Sequence, residues 1–350
     1  MLGTNVGVDL GTSSVLVYVE GKGIVVNEPS VAAYSSETGQ LIAVGRRAFE
    51  MLGRNPESIR VVKPMLNGVV SDFNATNHIL RYYLSQVCKN MMFKPNIVVC
   101  VPSSVTKLEQ RTILDLVTAS GAAKACLIEE PLAAALGAGL SVGRPSGVMV
   151  VDIGGGTTDV AVITMGSISV SRSIRVAGNA LDEAIVRYFR RERDVHFGER
   201  TAEKIKMKIG SACLREADLA IEARGKYGVT GMPARLEITS TEVYFAIRDQ
   251  LDSISDAITG VLELTPPELA GDISDNGIIL TGGSALLHDM DRMVRKDTGI
   301  RTLVCEDPIT CVAMGTGIAL KNIDLLISNG YMFQSREEIT GYWDNALTEN

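Results

Sequence analysis

The sequence predicts an α/β chain assembled as two related halves, each with a smaller inserted subdomain, and three observations predict it. An apolar strand ending in Asp, glycine and hydroxyls occurs at Val6-Gly-Val-Asp-Leu-Gly-Thr12, and again roughly 140 residues later at Val150-Val-Asp-Ile-Gly-Gly-Gly-Thr-Thr158. Strand, helix, strand passages accompany these copies, the rhythm of a sheet with helices on both faces. The 350 residues hold about two domains with ample surface to bury.

Taken in chain order, Val6, Val8 and Leu10 point to one face of the first strand and Asp9 to the other, toward a cleft. Val15, Val17 and Val19 read as the returning strand of a hairpin. Residues 32–63 break the rhythm and read as the first inserted subdomain. Pro95 to Val101 is a short buried strand, and Thr106 with Glu109 forms a capping box that opens a helix ending near Gly121. Ala125 to Glu129 is the next strand, and Pro131 opens the alanine-rich helix Leu132 to Ala138. Gly139 to Gly147 reads as a hinge, which places the first half at 1–141 and the second at 142–317. In the second half Val160 to Ile163 returns from the second turn. Residues 178–242, with the charged helix Arg187 to Arg193, read as the second inserted subdomain. Residues 318–335 are expected to be a helix returning to the first half, and 336–350 a tail with no assignment.

The chemistry of the turns follows from their residue types. Gly11 lets amide N–H groups approach a phosphate, and Thr12, Ser13 and Ser14 add hydroxyls. Gly154, Gly155 and Gly156 make a barer turn, with hydroxyls from Thr157 and Thr158. Asp9 and Asp152 then flank the phosphates as two carboxylates, which suits a hydrated Mg²⁺ that takes few direct protein ligands. One such hairpin is equally compatible with a purely structural turn; two in register favour two domains facing one nucleotide. A third glycine turn, Ile278-Ile-Leu-Thr-Gly-Gly-Ser284, precedes a helix with Leu286, Met290, Met293 and Val294 at helical spacing. Strand, Gly-Gly and helix place N–H groups and a dipole end beside a ligand, although a close helix–strand contact explains the glycines as well. Neither a Walker loop nor the dinucleotide GxGxxG layout is present.

Composition narrows the class. With 46% hydrophobic but only 5% aromatic residues, the chain is an α/β protein rich in small aliphatics. A formal net charge of −7 with no long basic run argues against nucleic acid as a partner. No apolar run reaches bilayer-spanning length and no secretion-signal layout opens the chain, so a cytoplasmic location is expected. Six cysteines without CxxC spacing read as reduced thiols rather than disulfides or a zinc site.

Phosphate turn, connecting helix, second phosphate turn and adenosine turn, in that order, resemble the actin, heat-shock chaperone and sugar-kinase superfamily. That resemblance implies an actin-like ATPase fold of two duplicated RNase H-like domains around a nucleotide cleft. Within it, Lys22-Gly-Ile-Val-Val-Asn-Glu-Pro-Ser30, Leu127-Ile-Glu-Glu-Pro-Leu-Ala-Ala-Ala135, Gly198-Glu-Arg-Thr-Ala-Glu203, Thr265-Pro-Pro-Glu-Leu269 and Glu306-Asp-Pro-Ile-Thr-Cys311 are similar to the MreB family of bacterial actins, over about residues 3–325. The family implies ATP or ADP with Mg²⁺ as cofactors and hydrolysis coupled to assembly of homopolymeric double filaments. It also implies attachment to the inner face of the cell membrane, wall-elongation membrane proteins as partners, and a role in cell-wall elongation and rod shape.

Carried over by residue, the resemblance implies that Thr12, Ser13 and Ser14 form the first phosphate loop and Gly155 to Thr157 the second. Gly282, Gly283, Ser284, Ala285 and Leu286 form the adenosine loop, and Glu203 and Lys206 close over adenine and ribose. A solvated helical face explains the last two as well. Glu130, directly before Pro131, is the candidate catalytic carboxylate, orienting a water in line with the γ-phosphate with help from Thr157; a helix cap would explain that glutamate without chemistry. The chain departs from the family at Thr12-Ser13-Ser14, where Thr-Ala-Asn is usual, at Asp159 in place of Glu, and at Ser284 in place of a third glycine. Met91, Met92 and Phe93, flanked by lysines, are the candidate membrane contact, with inward packing as the alternative. A small-molecule kinase of the same fold, and a scaffold filament that binds ATP with little hydrolysis, stay open as other readings.

Overall fold

The computed structural model describes residues 5–88, 94–322, 327–328 and 330–339. It divides into two compact units, one of residues 1–146, 163–169 and 309–350, the other of 147–162 and 170–308.

The first unit begins β1 (Asn5–Leu10), β2 (Ser14–Val19), β3 (Gly23–Pro29), β4 (Ala32–Ser35), β5 (Leu41–Val44), α1 (Arg46–Met51), β6 (Ile59–Val62), β7 (Met65–Leu66), β8 (Val69–Val70) and α2 (Phe73–Val87). It continues with β9 (Asn96–Val101), α3 (Lys107–Ala119), β10 (Lys124–Glu129) and α4 (Glu130–Gly137). Its main sheet runs β10-β9-β1-β2-β3, with β1 antiparallel to β2, and β9 parallel to both β1 and β10. Pleat alternation buries Val6, Val8 and Leu10 and leaves Asp9 partly exposed. A second sheet, β5-β4-β6, lies with α1 inside the 32–63 segment. Helix starts follow local chemistry. Asp72 accepts the Ala75 N–H at 3.0 Å to open α2, and Thr106 and Glu109 cap α3 reciprocally.

The second unit carries β11 (Val148–Ile153), β12 (Thr158–Thr164), β13 (Ser167–Ile174), α5 (Gly178–Arg193), β14 (Val195–His196), α6 (Glu199–Ile209), β15 (Ala220–Tyr227) and β16 (Pro233–Thr239). Then come α7 (Ser240–Leu264), α8 (Pro267–Asn276), β17 (Ile278–Thr281), α9 (Met290–Thr298) and β18 (Thr302–Val304). Its sheet order is β13-β12-β11-β17-β18, with β17 parallel to both β11 and β18. Read from β3 across to β10, the first unit's sheet has the same plan: third, second and first strands, then two more that run parallel. The duplication inferred from two turns is therefore a duplication of whole sheets. Residues 178–242 add the β14-β15-β16 sheet beside α5 and α6.

Two expected elements differ. Among the described residues the last long helix is α10 (Cys311–Lys321), where a helix over 318–335 is expected from the sequence, and it belongs to the first unit. Small residues fix it there, since a Cβ at Gly315 would overlap the Ala133 carbonyl and one at Gly137 the Cys311 carbonyl. Backbone thus packs on backbone between α4 and α10. The helix expected to include Leu286 starts later, at Met290, because Asp289 takes a left-handed conformation with φ of 60°. Leu286 instead closes a 3-10 turn, Gly283–Leu286, and is 57% exposed, whereas Met290, Met293 and Val294 are buried.

Candidate functional site

The two phosphate turns close in the same way. In the first unit the Gly11 N–H donates to the Ser14 carbonyl at 3.0 Å; in the second the Gly154 N–H donates to the Thr157 carbonyl at 3.0 Å. Each bond spans the residues between an Asp-bearing strand and its neighbour in the sheet. A Cβ at Gly11 would sit 3.0 Å from the Ser14 carbonyl oxygen, and one at Gly154 3.4 Å from that of Thr157, so the first turn demands glycine more strictly. In the second turn the carbonyls of Gly154 and Gly155 accept N–H groups of Gly178 and Asn179 at 3.1 and 2.8 Å. These bonds commit the turn's carbonyl edge to the start of α5, so its N–H edge is the one that can receive an anion.

The hydroxyls of these turns divide into two groups. Thr12 is buried, and its Oγ1 accepts the Gly68 N–H at 2.8 Å. Gly68 and Asn67, both left-handed, form the tight turn between β7 and β8, which thereby props the first phosphate loop. That Asn-Gly pair is a hairpin signal legible from local sequence. Ser13 is exposed, and its carbonyl holds the Ser30 N–H at 3.0 Å, which gives the Asn-Glu-Pro-Ser segment a mechanical purpose. Thr157 is buried in its turn. Thr158 is fully buried and donates to the Val176 carbonyl at 2.7 Å, so its side chain serves the scaffold.

The carboxylates sit in contrasting surroundings. Burial pushes Asp9 up to about 6, with the hydrogen bond from the Cys100 thiol, 3.4 Å away, acting the other way. Cys100 itself is driven well above its ordinary value by burial and then by the charges of Asp9 and Glu130. Cysteine spacing alone marks it as nothing more than a reduced thiol. All six cysteines are free. Asp152 is buried and accepts a hydrogen bond from the Thr281 hydroxyl at 2.7 Å, which makes Thr281 a site residue signalled only by its place before Gly-Gly. Each turn by itself presents a carboxylate with hydroxyls beside it, the kind of oxygen donor that suits a hard cation keeping most of its water. Among the described residues no group of three or more His, Cys, Asp or Glu could hold a metal ion by themselves.

Glu130 is the first residue of α4 and is only 8% exposed, with Pro131 behind it in the first turn. Its neighbour Glu129 caps that helix through backbone geometry alone, its side chain held instead by the Tyr331 hydroxyl at 2.5 Å. The two glutamates therefore have separate surroundings, as alternation along an extended segment requires. In the second unit Lys206 donates to the Gly178 carbonyl and to Asp182 Oδ2, both at 2.9 Å. Glu203 shares its half-buried environment, whereas Lys204 and Lys208 are exposed. The α6 lysines are thus not one solvated face, and Asp182 is a partner that no sequence pattern signals.

The adenosine turn is built on close approach. Gly282 has φ of 83°, and a Cβ there would overlap the Ile153 backbone. Ser284, which stands where the family usually has a third glycine, donates to the Gly154 carbonyl at 2.8 Å and so ties the third turn to the second. Gly283 begins the 3-10 turn, Ala285 is buried, and exposed Leu286 offers an apolar surface of the kind a base requires. Met91, Met92 and Phe93 lie outside the described residues. No described helix is long and apolar enough to cross a membrane.

Two sheets on one plan, each ending a strand in a carboxylate beside a glycine turn, define an actin-like α/β ATPase fold. A family model described as MreB/Mbl protein matches residues 3–328, and the chain belongs to that family. It is similar to the cell shape-determining protein Mbl of Bacillus cereus, 45% identical over 327 residues, 93% of this chain and 98% of the relative. It is equally similar to the cell shape-determining protein MreB of Escherichia coli K12, 45% identical over 331 residues, 93% of this chain and 95% of the relative. Among solved structures, MreB5 of Spiroplasma citri bound to AMPPNP superposes with a TM-score of 0.88 at 39% identity, covering 94% of this chain and 99% of that one.

Proposed function

We propose that this protein binds ATP with Mg²⁺, hydrolyses it, and couples hydrolysis to assembly of homopolymeric double filaments that direct cell-wall elongation and rod shape. The observation that carries the proposal is the paired phosphate turn, closed by the same Gly N–H to carbonyl bond in both units and set beside an Asp in both. The AMPPNP bound to the MreB5 relative supports a nucleotide at such turns, and the names of the other relatives support a role in cell shape.

In this reading the N–H edges of both turns, with Ser13, Ser14, Gly156 and Thr157, receive the phosphates. Asp9 and Asp152 would hold a hydrated Mg²⁺, which would supply charge neutralisation at the transferred phosphoryl group. Glu130, fixed at the start of α4, orients the attacking water, and Thr157 assists. Lys206, Glu203, Gly282, Gly283 and Leu286 receive ribose and base. Met91, Met92 and Phe93 insert into the inner face of the membrane, where each apolar side chain contributes ~1.5–3 kcal/mol, so a filament of many copies holds where one subunit exchanges. Wall-elongation membrane proteins are the partners of such a filament in this reading, and nucleic acid is not. Phosphate release measured beside sedimentation, for wild type and Glu130→Ala, tests the assignment. Loss of release with filaments retained is expected; unchanged release in the variant would identify Glu130 as a helix cap and leave an ATP-binding scaffold.

A further inference from the structure

Beyond residue 328, where the family match ends, the described chain returns to the edge of the first unit's main sheet. Gln334 and Ala125 of edge strand β10 exchange backbone hydrogen bonds of 2.9 and 2.8 Å in an antiparallel bridge. Farther on, Ser335 and Glu338 cap a short turn, Glu338 faces Lys124 at 3.6 Å, and Ile339 is fully buried in the first unit's core. Running back from the bridge, the antiparallel course carries Tyr331 to the far end of β10, where its hydroxyl donates to Glu129. The segment 331–339 is thus a strap anchored at both ends, and its Tyr331 contact falls one residue before Glu130.

We propose that Tyr331 is a positioning residue for ATP hydrolysis, acting through Glu129 on Glu130, a proposal that rests on the assignment of Glu130 above. Glu129 is the residue at which extended β10 turns into α4, and its side chain does not cap the helix. Through its bond to Glu129 the Tyr331 hydroxyl anchors, from the strap side, the turn at whose first helical position Glu130 sits. Burial and the Glu129 charge both drive the Tyr331 phenol upward, so it stays a donor across the working pH range. Angstrom-scale displacement of a group that orients a nucleophile carries a large rate cost, whereas phosphate binding by the turns is untouched.

The test uses the full chain and steady-state phosphate release across ATP concentrations, normalised to the pelleted fraction, for wild type, Tyr331→Phe, Glu129→Ala, the double variant, Glu129→Gln and Glu130→Ala. Expected are kcat values about three- to tenfold lower in Tyr331→Phe and in Glu129→Ala with KM unchanged, and no further loss in the double variant. Glu129→Gln, which keeps an acceptor for the hydroxyl, stays near wild type. Wild-type kcat in Tyr331→Phe, with a lowered melting temperature or not, overturns the proposal and leaves the strap a stabilising element. So does an additive loss in the double variant. If Glu130→Ala itself releases phosphate normally, the reading of Glu130 fails and this one with it; if Glu130→Ala is inactive while Tyr331→Phe is not, the strap alone is refuted.

Discussion

Asp9→Asn separates what the first phosphate turn does for function from what it costs the fold. An ordinary aspartate titrates near 3.8 and Asp9 near 6, a gap that burial creates and the Cys100 thiol only partly offsets. The folded protein therefore holds this proton more tightly than the unfolded chain. The resulting stability is fully present below about pH 4 and is lost as pH rises through about 6. At ~1.4 kcal/mol per pH unit, the gap is worth up to about 3 kcal/mol against the metal-free wild type at pH 7. Asn removes the ionisation and keeps an oxygen to accept the thiol. Urea unfolding of nucleotide-free protein in EDTA, from pH 4 to 8, should show the two proteins equal at the acid end and the variant more stable by up to ~3 kcal/mol above pH 6. Saturating Mg²⁺ and ATP should reverse the order, because ligand binding stabilises only the protein that can take it up. A difference independent of pH, or a wild type more stable than Asp9→Asn in EDTA at pH 7, would refute the reasoning.

Two further outcomes follow from named contacts. Gly315→Ala drives a methyl into the Ala133 carbonyl and must separate α4 from α10, so urea unfolding should show a loss of roughly 3 kcal/mol or more, because the obstacle is backbone and cannot change rotamer. Ser284→Gly deletes the hydroxyl that joins the adenosine turn to the Gly154 carbonyl, and fluorescent-ADP dissociation should speed up about five- to tenfold, the equivalent of ~1–1.4 kcal/mol for one hydrogen bond; an unchanged rate would show that the two turns keep their positions without it.

How much of this was legible in the sequence depends on whether a feature is local. The strands around Asp9 and Asp152 follow from period-two alternation, and the start of α3 from the Thr106 and Glu109 spacing, since each rests on residues a few positions apart. The partners of those same groups come from far along the chain. Cys100 reaches Asp9 across 91 positions, Gly68 reaches Thr12 across 56, and Thr281 reaches Asp152 across 129. No local pattern marks a thiol or a threonine as the neighbour of a carboxylate on another strand; the parallel pairing of β1 with β9 and of β11 with β17 does that. The misplaced final helix has the same origin. Gly315 and Gly317 lie inside α10 because Ala133 and Tyr18, far off in the chain, leave no room for a side chain. Tertiary contact there overrides the roughly 1 kcal/mol that each glycine costs a helix, so the weakest helix formers of α10 sit at its points of closest packing.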